Sequence, residues 1–129
     1  MGAKLAAPDK LIVATLGDGA YMFNNPLVGH WVSAAHKLPI LTIVFNNSRY
    51  GAVRNATLSM LKDGVAGEDD GNTLANLSPT PPYEEMARAQ GAHAERVEKP
   101  ADLPDALARA RNAVLIEGRQ AFLNVITPY

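Results

Sequence analysis

Acidic and amide side chains follow two apolar runs in the first half of the chain. Gly17-Asp18-Gly19 closes the run 11–16, and Asn46-Asn47 closes the run 40–45. Asp18 offers an anionic carboxylate oxygen and Asn47 a neutral amide oxygen, and Mg²⁺ accepts such ligands beside water and substrate phosphates. Glycines on either side of Asp18 allow a tight turn and a close approach to a ligand, and peptide N–H groups there suit a phosphate. These residues predict a site in which a metal ion bridges the protein and a diphosphate.

The elements around the two motifs predict that they lie close together. Residues 20–45 separate them, enough for one crossover helix and a second strand. Two β-branched runs around a helix form a βαβ unit with parallel strands, and open α/β sheets bind ligands at the carboxyl ends of such strands. Asn25 is the expected cap of the crossover helix, with Pro26 in its first position and an end near Lys37.

The rest of the chain predicts an α/β fold, a mostly parallel sheet with helices on both faces, in the order β-α-β-α-α-β-α-β. Leu58, Met60 and Leu61 have helical spacing and are expected in the core. We expect a helix at 83–89, a strand at 91–97, a helix capped by Asp102 and running to about 115, and a buried strand at 120–127. Residues 63–82 are predicted to be rich in loops.

Other interpretations of these motifs fit less well. Gly-Asp-Gly alone can be an ordinary turn, and Asn-Asn an ordinary strand exit. A dinucleotide fingerprint fails because Met22 stands at the third glycine position, and no phosphate-binding P-loop motif occurs. Glu68-Asp69-Asp70 lacks the glutamate that closes an EF-hand loop, so a solvated loop is predicted there. His30 is expected to be packed or solvated rather than catalytic.

Composition narrows the classes of function. The chain has 129 residues, 47% of them hydrophobic and 19% charged, as expected for one globular domain. A net charge of −1 gives no reason to expect nucleic acid or an anionic membrane surface as a partner. The chain has no cysteine and no apolar run long enough to span a membrane. A reducing, cytoplasmic setting is the working expectation.

The two motifs in register resemble the thiamine-diphosphate-binding signature of thiamine-dependent enzymes. The flanking segments "LIVATLGDGAYMF" and "LPILTIVFNNSRYGAVR" are similar to the diphosphate-binding domain of acetolactate synthase-like and benzoylformate decarboxylase-like enzymes. The resemblance extends from Lys4 to about Thr127. It implies that Mg²⁺ is held by Asp18, the side chain of Asn47 and the main-chain carbonyl of Arg49. The cofactor-binding residues that it implies are Gly17, Asp18, Gly19, Ala20, Asn46, Asn47, Arg49, Tyr50 and Gly51.

The same resemblance implies an activity for a larger enzyme. It would act on 2-oxo acids, by decarboxylation or by acetolactate synthase-like carboligation, as a homo-oligomer (a dimer or tetramer). Residues 1–129 correspond to the second half of its C-terminal diphosphate-binding domain, so the chain is expected to be truncated, without pyrimidine-binding and middle domains. The glutamate that activates the cofactor lies in the pyrimidine-binding domain in this family and has no match here, so the chain alone is expected to be inactive.

Two further hypotheses stay open beside the truncated enzyme. One is a separate Mg²⁺-phosphate-binding subunit that completes an active site with a partner chain. The other is a non-catalytic scaffold domain that keeps the fold without the cofactor. The presence of both Asp18 and Asn47 argues against the scaffold, and the identity of the 2-oxo acid is open in every case.

Overall fold

Helices and strands alternate along the chain in the computed structural model, which describes residues 1–68 and 75–128. The strands are β1 (Val13–Gly17), β2 (Leu41–Asn46), β3 (His93–Val97) and β4 (Ala121–Ile126). The helices are α1 (Gly2–Ala6), α2 (Asp18–Phe23), α3 (Pro26–Ala35), α4 (Gly51–Met60), α5 (Val65–Glu68), α6 (Tyr83–Ala89) and α7 (Leu103–Leu115), and Pro100–Asp102 form a short 3₁₀ helix. The predicted order is confirmed, and three short helices, α1, α2 and α5, occur in addition to it.

The strands form one four-stranded sheet in the order β1-β2-β4-β3. Each neighbouring pair is parallel. Gly17 pairs with Phe45, so β1 and β2 end side by side. The residues that follow these two strands therefore meet at one edge of the sheet, as the sequence predicts.

Helices cover both faces of the sheet, and the predicted α/β class is confirmed. Successive side chains of a strand point to opposite faces. Leu41, Leu123 and Val125 pack on one face against the small buried residues Ala106, Ala110 and Ala113 of α7. The other face packs Val44 and Phe122 against Tyr21 of α2 and against Tyr83 and Ala87 of α6. Helix α2, which begins at Asp18, is thus packed onto the sheet through Tyr21.

Gly17-Asp18-Gly19 is a direct junction between strand and helix. Gly17 ends β1 and Asp18 begins α2, so the predicted tight turn is replaced by an immediate helix start. The expected single crossover helix is split into α2 and α3 at Asn25, whose φ of +50° turns the backbone into the left-handed region. Asn25 and Pro26 take the expected cap and first-turn positions of α3, but the Asn25 side chain makes no capping hydrogen bond. Asp102 likewise precedes α7 without a side-chain cap.

Helix α4 contradicts one prediction about the core. Met60 and Leu61 were expected to be buried, yet they are 82% and 63% exposed. None of the residues of α4 is buried, because among the described elements this helix packs mainly against the short helix α5 rather than on the sheet. Of the acidic run 68–70, Asp69 and Asp70 lie outside the described residues, as does the whole of 69–74.

Within the two described ranges, every helix is too short or too polar to cross a bilayer.

Candidate functional site

Asp18 and Asn47 converge on one backbone N–H. Asp18 is 2% exposed, and its Oδ1 accepts a hydrogen bond from the N–H of Gly19 at 2.9 Å. The N–H of Arg49 donates to Asp18 Oδ2 at 3.2 Å and to Asn47 Oδ1 at 3.1 Å. A carboxylate oxygen and an amide oxygen from neighbouring strand ends therefore face the same point, as the sequence predicts for these two motifs.

The electrostatics of Asp18 follow from its burial. Burial raises the pKa of the Asp18 carboxyl above its ordinary value, because the charged form loses solvation. Hydrogen bonds from the backbone N–H groups of Gly19 and Arg49 oppose this effect. A cation placed beside this desolvated carboxylate would stabilise its charged form.

A cavity of about 600 Å³ opens at this edge of the sheet. Its volume lies in the range of about 300–1,000 Å³ that small-molecule and cofactor sites occupy. The predicted residues that line it are Gly17, Asp18, Gly19, Ala20, Asn47, Arg49, Tyr50 and Gly51. The structure thus brings together every predicted site residue except Asn46.

Residues that sequence reasoning missed supply much of the apolar wall of this cavity. Phe23, Phe45, Ala52 and Val53 line it beside Asn24 and Thr127. Phe23, Phe45 and Val53 are all substantially exposed in the isolated chain. A signal existed for Phe45, which directly precedes Asn46-Asn47 at the end of an otherwise aliphatic strand. The cavity therefore combines polar groups for an anion or metal with apolar surface for a less polar part of a ligand.

The ring of Tyr50 leaves little room for a side chain at Gly19. A Cβ atom at Gly19 would lie 2.7 Å from Cδ1 of the Tyr50 ring, closer than real Cβ contacts come. The sequence predicts this glycine for close approach to a ligand, whereas the structure shows an approach to a ring that itself lines the cavity. Gly19 therefore leaves room for the Tyr50 ring at the site.

Asn46 lies behind the cavity rather than along it. Asn46 is 1% exposed, and its Nδ2 donates to Oδ1 of Asn124 at 3.0 Å. Its Oδ1 accepts from the N–H of Ser48 at 3.0 Å. The side chain predicted to support the cofactor directly is thus used inside the protein, next to the loop that carries Asn47 and Arg49.

The donor set suits a hard cation. In the described parts of the chain, no cluster of three or more His, Cys, Asp or Glu side chains could hold a metal ion. Asp18 and Asn47 instead offer two oxygens from two strand ends, and Mg²⁺ characteristically takes few protein oxygens and completes its shell with water and phosphate oxygens. The residues present therefore fit a magnesium ion that arrives with a phosphate ligand.

His30 belongs to the packing of α3 and not to this cavity. The two N–H groups of Gln120 Nε2 donate to the carbonyls of His30 and Gln90, so Gln120 Oε1 must accept from His30 Nδ1–H at 2.9 Å. His30 Nε2 then accepts from the hydroxyl of Tyr21 at 2.9 Å. Burial lowers the pKa of His30, with the hydrogen bond to Gln120 opposing it. The neutral ring is therefore built into the fold, which agrees with the packed interpretation.

We expect the free energy of unfolding to fall when the pH drops below about 6.5. His30 has an ordinary pKa of 6.5 and a lower one in the folded chain, so the unfolded chain takes up the proton first. The loss is at most about 1.4 kcal/mol per pH unit for one such group. Urea unfolding at pH 7.5, 6.5 and 5.5 measures it, and His30→Gln should flatten the curve. The matched variant, His36→Gln at an exposed position, should keep the wild-type slope; a slope that survives His30→Gln would contradict the assignment.

Comparison with known protein families identifies a close match over almost the whole chain. Residues 1–125 match the family described as thiamine pyrophosphate enzyme, C-terminal TPP binding domain. A probable acetolactate synthase of Mycobacterium bovis is 31% identical over 128 residues, which are 98% of this chain and 21% of that protein. A 2-hydroxyacyl-CoA lyase of Oryza sativa is 33% identical over an alignment of 132 positions, which covers all of this chain and 21% of that protein.

Solved structures agree with the fold. A thiamine diphosphate-dependent 4-hydroxybenzoylformate decarboxylase of Rhodococcus jostii RHA1 superimposes with a TM-score of 0.71 at 23% sequence identity. The superposition covers 99% of this chain and 22% of that one. The chain thus spans about a fifth of the length of the relatives that it matches.

Proposed function

Since the chain belongs to the thiamine pyrophosphate enzyme family through its C-terminal TPP-binding domain, we propose that it anchors the diphosphate of thiamine diphosphate through Mg²⁺. The observation that carries this proposal is the convergence of Asp18 Oδ2 and Asn47 Oδ1 on the N–H of Arg49 at the wall of the cavity. These oxygens belong to residues that directly follow two different strands, and both lie within hydrogen-bond distance of the same N–H. A bridging cation fits that arrangement better than a direct contact between a carboxylate and an anionic phosphate would.

The residues of the chain divide the task of binding between them. Asp18 supplies the anionic ligand, Asn47 its amide oxygen and Arg49 its main-chain carbonyl. The backbone from Gly17 to Ala20 approaches the phosphate groups, and Tyr50 and Gly51 line the same cavity. Thiamine diphosphate, when bound, supplies an electron sink for breaking or forming a carbon–carbon bond next to a carbonyl. Remote binding energy at the diphosphate lets the chain fix the orientation of that reactive group.

The edge of β1 supports the proposal that this chain is the second half of a larger diphosphate-binding domain. β1 is an edge strand with the sequence Val-Ala-Thr-Leu-Gly, and Val13 is 46% exposed. The opposite edge, β3, carries the charged residues Glu95 and Arg96, which discourage pairing with another strand. An uncharged β-branched edge fits a further parallel strand, which we assign to a segment outside this chain.

For the larger enzyme we propose a reaction on a 2-oxo acid, either decarboxylation or acetolactate synthase-like carboligation. The similarity to acetolactate synthases favours carboligation, and the similarity to a 2-hydroxyacyl-CoA lyase favours a cleavage reaction. The pyrimidine-binding part of the active site and its activating acid would come from outside residues 1–129. The enzyme would then assemble as a homo-oligomer.

Calorimetric titration of thiamine diphosphate into the purified chain tests the proposal. We expect weak binding in the presence of millimolar Mg²⁺, loss of binding in EDTA, and no binding of thiamine, which lacks the diphosphate. Binding that persists unchanged in EDTA, or that does not distinguish thiamine diphosphate from thiamine, would refute a metal-bridged diphosphate site. Absence of binding at millimolar ligand with Mg²⁺ would refute anchoring by this chain.

A further inference from the structure

A buried series of hydrogen bonds runs from α6 to the loop that carries Asn47 and Arg49. Asn124 Nδ2 donates to Glu84 Oε2 at 2.7 Å, and Asn46 Nδ2 donates to Asn124 Oδ1 at 3.0 Å. The N–H of Ser48 then donates to Asn46 Oδ1 at 3.0 Å. Glu84, Asn124 and Asn46 are 8%, 0% and 1% exposed. A buried carboxylate on a helix is therefore linked through two amides to Ser48, which lies between Asn47 and Arg49, two of the three proposed metal ligands.

The ends of this series set the orientation of every group within it. An ionised carboxylate only accepts hydrogen bonds, and a backbone N–H only donates them. Glu84 therefore requires the NH₂ group of Asn124, which turns the Asn124 oxygen toward Asn46. The NH₂ group of Asn46 faces that oxygen, and its own oxygen is left for Ser48. If either amide were reversed, donor would face donor and acceptor would face acceptor within a buried region, at a considerable energetic cost.

Ser48 needs this support because of its backbone conformation. Its φ is +59°, in the left-handed region that residues with a Cβ rarely adopt. The carbonyl of Ser48 accepts from the N–H of Leu77 at 2.8 Å, and the N–H of Tyr50 donates to the carbonyl of Ala75 at 2.8 Å. The loop is thus fixed on one side by residues 75–77 and on the other by Asn46. Its geometry decides where the Asn47 side chain and the Arg49 main chain point.

We propose that Glu84 is a positioning residue for the cation-binding loop and acts through Asn124 and Asn46. The expected effect of Glu84 on metal binding rests on the proposed function, whereas the hydrogen-bond series is independent of it. A carboxylate is an expensive group to bury, and an apolar residue of similar size would commonly stabilise a helix–sheet contact more. The carboxylate of Glu84 orients the amide of Asn124 and, through it, that of Asn46. Without this acceptor, the Ser48 N–H loses its fixed partner, and the loop can leave the conformation that aligns Asn47 and Arg49.

Three variants isolate this role. Glu84→Leu removes the acceptor while keeping the volume, and Glu84→Gln keeps an acceptor oxygen. Glu85→Leu makes the same change at the neighbouring position, where the side chain is 61% exposed and paired with Arg88. Should Glu84→Leu fail to fold, Glu84→Met provides an unbranched apolar side chain of similar length for the same comparison.

The first measurement uses the chain without any ligand. Amide hydrogen exchange followed by NMR should show the Ser48 N–H exchanging about tenfold faster in Glu84→Leu, the effect of one lost hydrogen bond. Glu84→Gln and Glu85→Leu should exchange as the wild type does, and amides in the middle of β2 and β4 should stay protected in all variants. Unchanged protection of Ser48 in Glu84→Leu, or faster exchange across the whole sheet, would overturn the proposal.

The second measurement concerns the metal. The Mg²⁺ concentration that half-saturates thiamine diphosphate binding should rise about tenfold in Glu84→Leu, as for other residues that orient metal ligands, and return to within about twofold of wild type in Glu84→Gln. Equal Mg²⁺ midpoints in wild type and Glu84→Leu would overturn the link to the metal. If the wild type itself does not bind, the proposed function fails, while hydrogen exchange at Ser48 still decides whether Glu84 positions the loop.

Discussion

Replacing Asp18 with alanine is expected to abolish Mg²⁺-dependent binding of thiamine diphosphate to this chain. The change removes the anionic ligand among the proposed metal ligands, so the loss should exceed the roughly 10–100-fold typical of residues that only orient such ligands. The fold should survive, because the N–H of Arg49 keeps Asn47 Oδ1 as its acceptor at 3.1 Å. Calorimetric titration with and without EDTA measures the loss, and circular dichroism checks the fold.

The chain offers a matched control for this variant at the other end of the same strand. Asp9 is exposed and precedes β1, whereas Asp18 is buried and follows it. Asp9→Ala makes the same chemical change and should leave both the affinity and its Mg²⁺ dependence unchanged. Wild-type binding by Asp18→Ala would rule out Asp18 as a metal ligand, and equal losses in both variants would point to a general effect of charge.

Replacing Phe122 with alanine is expected to cost about 3–5 kcal/mol of the free energy of unfolding. Phe122 is 0% exposed near the start of β4, and the centroid of its ring lies 5.1 Å from that of Tyr21 and 5.6 Å from that of His30. The sheet cannot close over the space, because α2 and α6 are already packed on the same face. Against a total of roughly 5–15 kcal/mol for a typical domain, the variant should be largely unfolded in mild urea.

Phe23 provides the comparison for Phe122. It is 83% exposed at the end of α2, so Phe23→Ala removes the same atoms without leaving a cavity and should change stability by no more than about 0.5 kcal/mol. Urea unfolding of the two variants and the wild type gives the difference. Similar losses in both, or a loss below about 1 kcal/mol for Phe122→Ala, would show that β4 is not the centre of the packed core.

The sequence predicts those parts of this protein that depend on local pattern. β-Branched runs before Gly17 and Asn46 identify two parallel strands, and the motifs after them identify the edge at which a site forms. Local rules also place Pro26 at the start of α3. These features depend on residues within a few positions of one another, so no knowledge of the tertiary structure is needed.

Features that depend on which side of an element meets the core could not be predicted. Glu84 and Glu85 are adjacent acids in the first turn of a seven-residue helix, and only packing makes the first buried and the second exposed. Apolar spacing in α4 suggested burial, yet nothing in the described structure covers Met60. A usable signal existed for Asn124, because an amide inside an apolar strand needs a buried partner.

The position of β4 between β2 and β3 has a consequence for the order in which the chain can fold during translation. β3 has no partner when it leaves the ribosome, because its neighbour in the sheet, β4, begins only at Ala121. The pair of β1 and β2 can form early, but the strand that joins it to β3 is the last of the described strands to be made. Contacts between such distant segments are slow to form. The nascent chain therefore holds an incomplete sheet, with β3 covered by α6 and α7 but unpaired with any other described strand, until synthesis has passed Ile126.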